Sequence, residues 1–487
     1  MTLPKPGKAI GPVKHVRPKA LLPLIRKILS LITLAIARTR PSFDRFLSPD
    51  QAAFRPGRGT GDLVWAQRWL AAKALRYKGT IHILGLDMSR AFDTINRSKL
   101  LAVLECVPGL TDDDRQLIRI LLANTSVRVC FNGILTEPFT TNIGTPQGDG
   151  LSPILFAVYL EAALRELVAR GPQRPSNDIK VCLPFNTIYA DDVDFISLDK
   201  DFLDKVLQAV GPVFIDSDLI VNVDKTENIA IGHADQGVDQ HAWRNARKLG
   251  SLLGVEEDVN RRIQLAYGCF KKLLALWKHP QLVSVEVRLQ SYKSLVESVL
   301  LYNCGTWALT EVLAEKLDCS QRKMLRIVLG IKWFHKVSNK ELYMRSGMIP
   351  IRELVIYARW RLFGHTLRLG DDTPARKAMA YYFHKDLHGR QGRRTTIASV
   401  LSDEYNASFG SHIKSLDEYS KVVKYAQDRA AWRELVDNIV STQRDLYESN
   451  VQRKTELRHT RKRTREEQAP TRVSDRIRRR VSYFIVG

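Results

Sequence analysis

The sequence predicts an α+β fold: strands and helices alternate over roughly the first half of its 487 residues, and helices alone continue. Two observations carry this. Short apolar, β-branched runs are separated by helical stretches as far as about residue 255, with a hairpin in the middle, which is a βαββαβ layout with helices on one face of a sheet. Beyond that point strand signals fade and apolar residues recur with helical spacing. The length suits two or three packed units, and 44% hydrophobic residues is ordinary for a folded chain.

From Met1 to about Tyr77 the pattern is a Pro/Gly-rich loop, a helix, a loop "RPGRGTGD" (Arg55 to Asp62) and a second helix starting near Asp62, a plausible cap. "GTIHILGLDM" (Gly79 to Met88) is a continuous apolar run of the kind a buried strand makes, and a helix should start near Ser89. Asp112 to Thr125 reads as helical. "SVRVCFNGILTEPF" then reads as a hairpin turning at Asn132 and Gly133. The loop "GTPQGDGLSP" (Gly144 to Pro153) opens an apolar helix, a second hairpin "TIYADDVDFI" (Thr187 to Ile196) follows, and then a helix near Asp201 to Val210. "DLIVNVDKTENIAIG" alternates like a strand and turns at Asp224 and Lys225. In Asn260 to Lys278 an apolar stripe that includes Ile263, Phe270 and Trp277 is flanked by basic Arg261, Arg262, Lys271 and Lys272.

The balance of 75 Lys+Arg against 52 Asp+Glu gives a net charge of +23, which favours a polyanionic partner but does not separate nucleic acid from an anionic membrane surface. The most apolar stretch, Ala20 to Ala37, contains Pro23, Arg26 and Lys27. These are costly at a bilayer centre, so it reads as a buried or half-buried helix and no membrane is expected. The start of the chain lacks the apolar core of a secretory signal, which points to an intracellular setting. The six cysteines are scattered without a C-x-x-C pair, as reduced and mostly buried thiols are. His384 and His388 could share a helical face, but without nearby cysteines they do not make a zinc site.

The question for function is why the second hairpin carries adjacent carboxylates, Asp191 and Asp192, at its tip. Asp is a common turn residue, so turn chemistry alone could account for them. A third carboxylate, Asp87, stands at the end of the strand "HILGLD", where it could equally cap a following helix. In a βαββαβ sheet the two places lie side by side. Three carboxylates converging there form a site for two hard divalent cations, suited to two-metal phosphoryl transfer.

"LDMSRAFD" (Leu86 to Asp93), "GTPQGDGLSP", "YADD" (Tyr189 to Asp192), "LIVNVDKTE" (Leu219 to Glu227) and "KLGSLLG" (Lys248 to Gly254) occur in the order of reverse transcriptase palm motifs. Upstream "LPKPGK" (Leu3 to Lys8), "VRPKALLPLIRKIL" and "QAAFRPGRGTGD", and downstream "LYNCGTWAL", "LRIVLGIKW" and "RLFGHTLRL", resemble segments of non-LTR (LINE-type) retrotransposon reverse transcriptases. The resemblance covers roughly residues 3 to 400. It implies a right-hand polymerase: partial fingers at 1–78, a palm at 79–255 with an insertion at about 100–143, a helical thumb at 256–345, a helical C-terminal region at 346–442 and a basic, disordered tail at 443–487.

Carried over position by position, the resemblance implies that Asp87, Asp191 and Asp192 are the catalytic, metal-binding acids. Lys225 matches the lysine that protonates departing pyrophosphate. Phe92 matches the ring that packs under the incoming sugar and disfavours a 2'-hydroxyl. Gln147 and Gly148 match the loop along nucleotide and template. Lys8 and Arg17 are candidates to clamp the triphosphate, and Leu252, Leu253 and Gly254 match the primer grip. Implied partners are an RNA template, a DNA primer or target and deoxynucleoside triphosphates, with two Mg²⁺ ions or Mn²⁺ as a substitute.

The chain begins almost at the first fingers motif, whereas the family usually carries an endonuclease domain before it. The expectation is therefore a form lacking that domain, served by an endonuclease in trans, or a truncated, catalytically inactive nucleic-acid-binding remnant. A nuclear location, or a cytoplasmic ribonucleoprotein before import, is expected from the product's destination and the basic tail.

Overall fold

The computed structural model describes residues 2–4, 16–18, 20–77, 79–123, 125–131, 134–175, 185–232, 241–279, 281–383 and 395–482. Strands β1 (Thr2–Pro4) and β2 (Val16–Pro18) pair antiparallel, followed by helices α1 (Leu24–Arg38), α2 (Pro41–Phe46) and α3 (Thr60–Tyr77). Next come β3 (Thr80–Leu86), α4 (Arg97–Glu105), α5 (Asp112–Leu122), the short strands β4 (Thr125–Val127), β5 (Cys130–Phe131), β6 (Ile134–Leu135) and β7 (Phe139–Thr141), and α6 (Ser152–Arg170). Strands β5 and β6 pair around the expected turn, whose Asn132 and Gly133 lie outside the described residues. The hairpin β8 (Phe185–Tyr189) and β9 (Asp192–Ser197), α7 (Lys200–Asp216), β10 (Glu227–Gly232), β11 (Arg247–Lys248) and β12 (Ser251–Leu252) complete this half.

From Val255 onward every α-helix or strand among the described residues is a helix. These are α8 (Val255–Lys272), α9 (Leu274–Lys278), α10 (Val285–Tyr292), α11 (Ser298–Leu300), α12 (Glu311–Val328), α13 (Asn339–Ser346), α14 (Ile351–Leu367), α15 (Pro374–Phe383), α16 (Ile397–Phe409), α17 (Leu416–Tyr425) and α18 (Arg429–Ser482).

The central sheet is antiparallel throughout, in the order β10-β3-β9-β8. Because side chains alternate along a strand, each register pair assigns a face. Leu86 opposite Val193 and Leu84 opposite Phe195 turn to one face, where Phe156 and Val158 of α6 and Val206 and Phe214 of α7 cover them. Ile83 opposite Ile196 and Ile81 opposite Ile231 turn to the other. There Trp65 and Trp69 of α3 cover them, with Trp360 and Phe363 of α14 and Met379 and Tyr382 of α15 behind.

The expectation of helices on one face is therefore corrected: both faces are covered. The reason is legible in α3. Its run "LVWAQRWLAAKA" is buried nearly all round, so the helix is a middle layer between the sheet and the C-terminal helices. A separate core, built on Val259, Phe270, Trp307, Leu317 and Val355, holds α8 to α14 together.

Three other expectations change. No helix starts at Ser89: Arg90 has φ +53, a left-handed conformation that a helix cannot absorb, and the chain turns tightly until Asn96 caps α4 through Lys99 N at 3.1 Å. The segment from 443 to 482, expected as a disordered tail, continues helix α18. Its polarity removes a core contact but does not disfavour helix, since Arg, Lys, Glu and Gln are good helix formers. Of the described cysteines only Cys304 is buried, with Cys106 exposed and Cys130, Cys269 and Cys319 intermediate.

Helix α1 is half-buried as expected. Ser30, Thr33, Leu34 and Ala37 face the interior, whereas Leu24, Ile25 and Leu31 stay exposed. Among the described residues no helix is long and apolar enough to cross a membrane.

Candidate active site

Register brings the acids together. β3 ends at Leu86 opposite Val193, so the next residue, Asp87, falls beside Asp192 at the start of β9. Past the strand end Asp87 is gripped by the loop before β10, where Asn222 N donates to its carbonyl at 2.8 Å and Ser89 N donates to Ile220 O at 2.8 Å. Ala190 and Asp191 form the hairpin tip, and Ala190 takes φ +56. Buried Gln51 braces that bend, its Oε1 accepting from Ala190 N at 3.3 Å and Ala53 N at 2.9 Å.

Asp87, Asp192 and Lys225 line one cleft of about 530 Å³, with Tyr189 and Asp194 on its wall; Asp191, at the hairpin tip, is not part of its lining. Lys225 Nζ donates to Asp87 Oδ2 at 2.7 Å. Desolvation, then the charges of Asp191, Asp194 and Asp87, push Asp192 up to about 6. Among the described residues no three acidic, His or Cys side chains close into a ligand set. The donors nevertheless suit an oxygen-preferring divalent cation: the negative charge crowded around Asp192 is relieved by positive charge placed among the carboxylates.

Below the acids lies a second layer that sequence reasoning missed. Asp194 is two residues beyond Asp192 on the same face, opposite Gly85. Lys248 of β11 reaches across Gly85 and places Nζ 2.8 Å from Asp194 Oδ1 and 3.0 Å from Glu227 Oε2. A Cβ on Gly85 would stand 2.4 Å from that Nζ and 2.9 Å from Asp194 Oδ1, so any larger residue would have to displace the pair. Gln67 of α3 donates to Asp194 Oδ2 at 2.7 Å. Burial alone would lower Lys248, but the paired acids outweigh it and hold it above its ordinary value. The period-two spacing of Asp192 and Asp194 was the available signal; the partner Lys248 required the fold.

The other expected site residues are placed variously. Phe92 is half-buried, its ring 4.8 Å from that of Phe156, and is thereby fixed against α6. Gln147 donates to Asp93 Oδ1 at 3.1 Å and accepts from Ala20 N at 2.8 Å. Gly148 has φ +123, and a Cβ there would meet Ala20 O at 2.8 Å, so the close backbone approach it permits is to its own chain.

Leu253 is 2% exposed and packs into the core with Trp243, while the half-buried Leu252 backbone is held by Arg68 and Asp258. Gly254 is crowded by Glu257 and Arg244, where a Cβ would meet them at 2.2 and 2.7 Å. The backbone of Arg17 pairs with Leu3. Lys8, His384 and His388 lie outside the described residues.

A profile of the reverse transcriptase (RNA-dependent DNA polymerase) family matches residues 3–256. The chain belongs to the reverse transcriptase family. It is similar to the transposon TX1 149 kDa protein of Xenopus laevis, 26% identical over 344 residues, 68% of this chain and 26% of that one. The Pol polyprotein of the type-1 retrotransposable element R2 of Popillia japonica is 25% identical over 142 residues, 29% of this chain and 22% of that one. The chain thus spans about a quarter of the length of these curated relatives. Among solved structures, Candida albicans telomerase in complex with a fragment of telomeric RNA is similar over 83% of this chain and 56% of that one, at a TM-score of 0.37 and 14% identity. The reverse transcriptase family in general uses divalent metal ions.

Proposed function

We propose that this chain is an RNA-directed DNA polymerase that extends a DNA 3'-hydroxyl on an RNA template with deoxynucleoside triphosphates. The observation that carries the reading is the convergence of Asp87 with Asp192 across the β3–β9 register, under a hairpin tip that also holds Asp191.

Asp87, Asp191 and Asp192 are the residues that would hold two Mg²⁺ ions, which supply activation of the attacking hydroxyl and charge neutralisation on the phosphates. Everything else is the work of the protein. The grip of the β10 loop fixes the Asp87 backbone, and Gln51 fixes the tip. Lys248 and Gln67 hold Asp194 in place beneath Asp192. Lys225, whose side chain is 62% exposed, neutralises Asp87 in the free chain and can swing from it to give a proton to the leaving pyrophosphate. Phe92, held against Phe156, offers a rigid ring where an extra 2'-oxygen has no room.

The test is primer extension on a primed RNA template with deoxynucleotides or ribonucleotides. Deoxynucleotide incorporation, with ribonucleotides admitted only by Phe92→Val, supports the reading. Absence of all incorporation by folded wild-type chain refutes it.

A further inference from the structure

We infer that a second cleft, remote in sequence from the acids, is a binding site for single-stranded RNA; the inference rests on the polymerase reading for the identity of its ligand. It lies between the loop Pro56 to Arg58 and the helices α14 and α18, and encloses about 760 Å³. Arg58, Arg361, Arg368, Arg429 and Arg433 line it, with exposed Tyr357 among them.

Five guanidinium groups around one concavity repel one another. Desolvation lowers Arg368, with Arg429 adding to it; desolvation also lowers Arg58, with Arg55 adding to it and Asp62, Asp372 and Asp44 opposing. Compensation is partial: it falls on Arg58, and leaves the guanidinium groups of α14 and α18 facing one another. Asp62 is occupied by His365 at 3.3 Å and by Gly59 N at 2.9 Å. Among the described residues Arg361, Arg429 and Arg433 form no ion pair with a carboxylate. Holding such charges together is costly unless a polyanion completes them.

The walls are preformed. α14 and α18 touch at Gly364, where a Cβ would stand 2.1 Å from Trp432 Nε1, and that nitrogen donates to Trp360 O at 3.0 Å. The guanidinium of Arg361 lies 5.4 Å from the Tyr357 ring centre. Guanidinium forks that take phosphate oxygens, next to an aromatic face on which a base can stack, are what a single strand needs. A duplex, convex and with its bases paired inward, offers this concavity no face to stack. The cleft therefore fits a stretch of single-stranded RNA.

The experiment measures the affinity of the full chain for a fluorescein-labelled single-stranded RNA across a salt series, without nucleotides or Mg²⁺. Wild type is compared with Arg361→Gln/Arg433→Gln and with Tyr357→Ala, all on exposed helix positions, and each variant's thermal melting confirms folding. The expected result is at least a tenfold loss for the double variant, with the log-affinity against log-salt slope smaller by about 1.4 for two lost single-strand phosphate contacts. Tyr357→Ala should weaken binding without changing the slope.

Unchanged affinity and slope in both variants overturn the proposal. So does a loss confined to duplex DNA or to an acidic polypeptide offered as competitor. Because incorporation is not the readout, failure of the wild-type chain to polymerise would refute the polymerase reading and leave this comparison intact.

Discussion

Lys225 Nζ lies 2.7 Å from Asp87 Oδ2, so the lysine expected to serve the leaving group is, in the free chain, the counter-ion of an acid expected to hold metal. The two roles compete for one ammonium. Removing it should have opposite effects on binding and on turnover. Lys225→Met is expected to bind Mg²⁺ more tightly by calorimetry, because Asp87 is freed, and to incorporate nucleotides about 100-fold more slowly, the order lost with a general acid. Slower incorporation without tighter metal binding would remove the competition from this account.

Gly85 lies directly against the Lys248–Asp194 pair beneath the acids. Gly85→Ala puts a methyl 2.4 Å from Lys248 Nζ and 2.9 Å from Asp194 Oδ1. Displacing this largely buried pair should cost about 3 kcal/mol of stability, read by urea denaturation. Lys248→Met should cost a similar amount, because it leaves Asp194 buried without its cation.

The raised Asp192 gives a pH signature in metal-free protein. Its folded-state value is about 6 against an ordinary 3.8. Between those values the folded state holds a proton the unfolded state releases, so stability is fullest below about pH 4 and falls as pH rises through 6. Asp192→Asn should therefore be more stable than wild type at pH 8, by about 1 kcal/mol once the solvent screening of this exposed side chain is counted, and not at pH 4. Melting curves in a chelator check this. A stabilisation equal at both pH values would contradict it.

Gly148 tests the loop. At φ +123, with Ala20 O in the path of a side chain, Gly148→Ala should strain the backbone by about 1–3 kcal/mol and detach the loop from Ala20. Primer extension is expected to show a raised KM for the nucleotide. An unchanged KM would mean the loop does not touch the substrate.

Much of this was legible in sequence because it depends on local pattern. The β3 run, the Asp191–Asp192 tip and the helical second half each announce themselves by period and turn chemistry. What was not legible depends on distant partners. The Trp65 and Trp69 stripe of α3 does not say that α14 and α15 will cover it, which is why helices on one face were expected. Leu253 looks like any hairpin residue until Trp243 encloses it. Asp194 was in plain view, but Lys248, 54 residues away, gives it meaning.

The most direct test of the central claim is Mg²⁺-dependent incorporation of deoxynucleotides on a primed RNA template, comparing the chain with its Asp191→Asn variant. The account predicts incorporation by the first and none by the second, with binding of the primed template equal in both. Equal incorporation by the two, or none by a folded wild-type chain that binds the duplex, would contradict it.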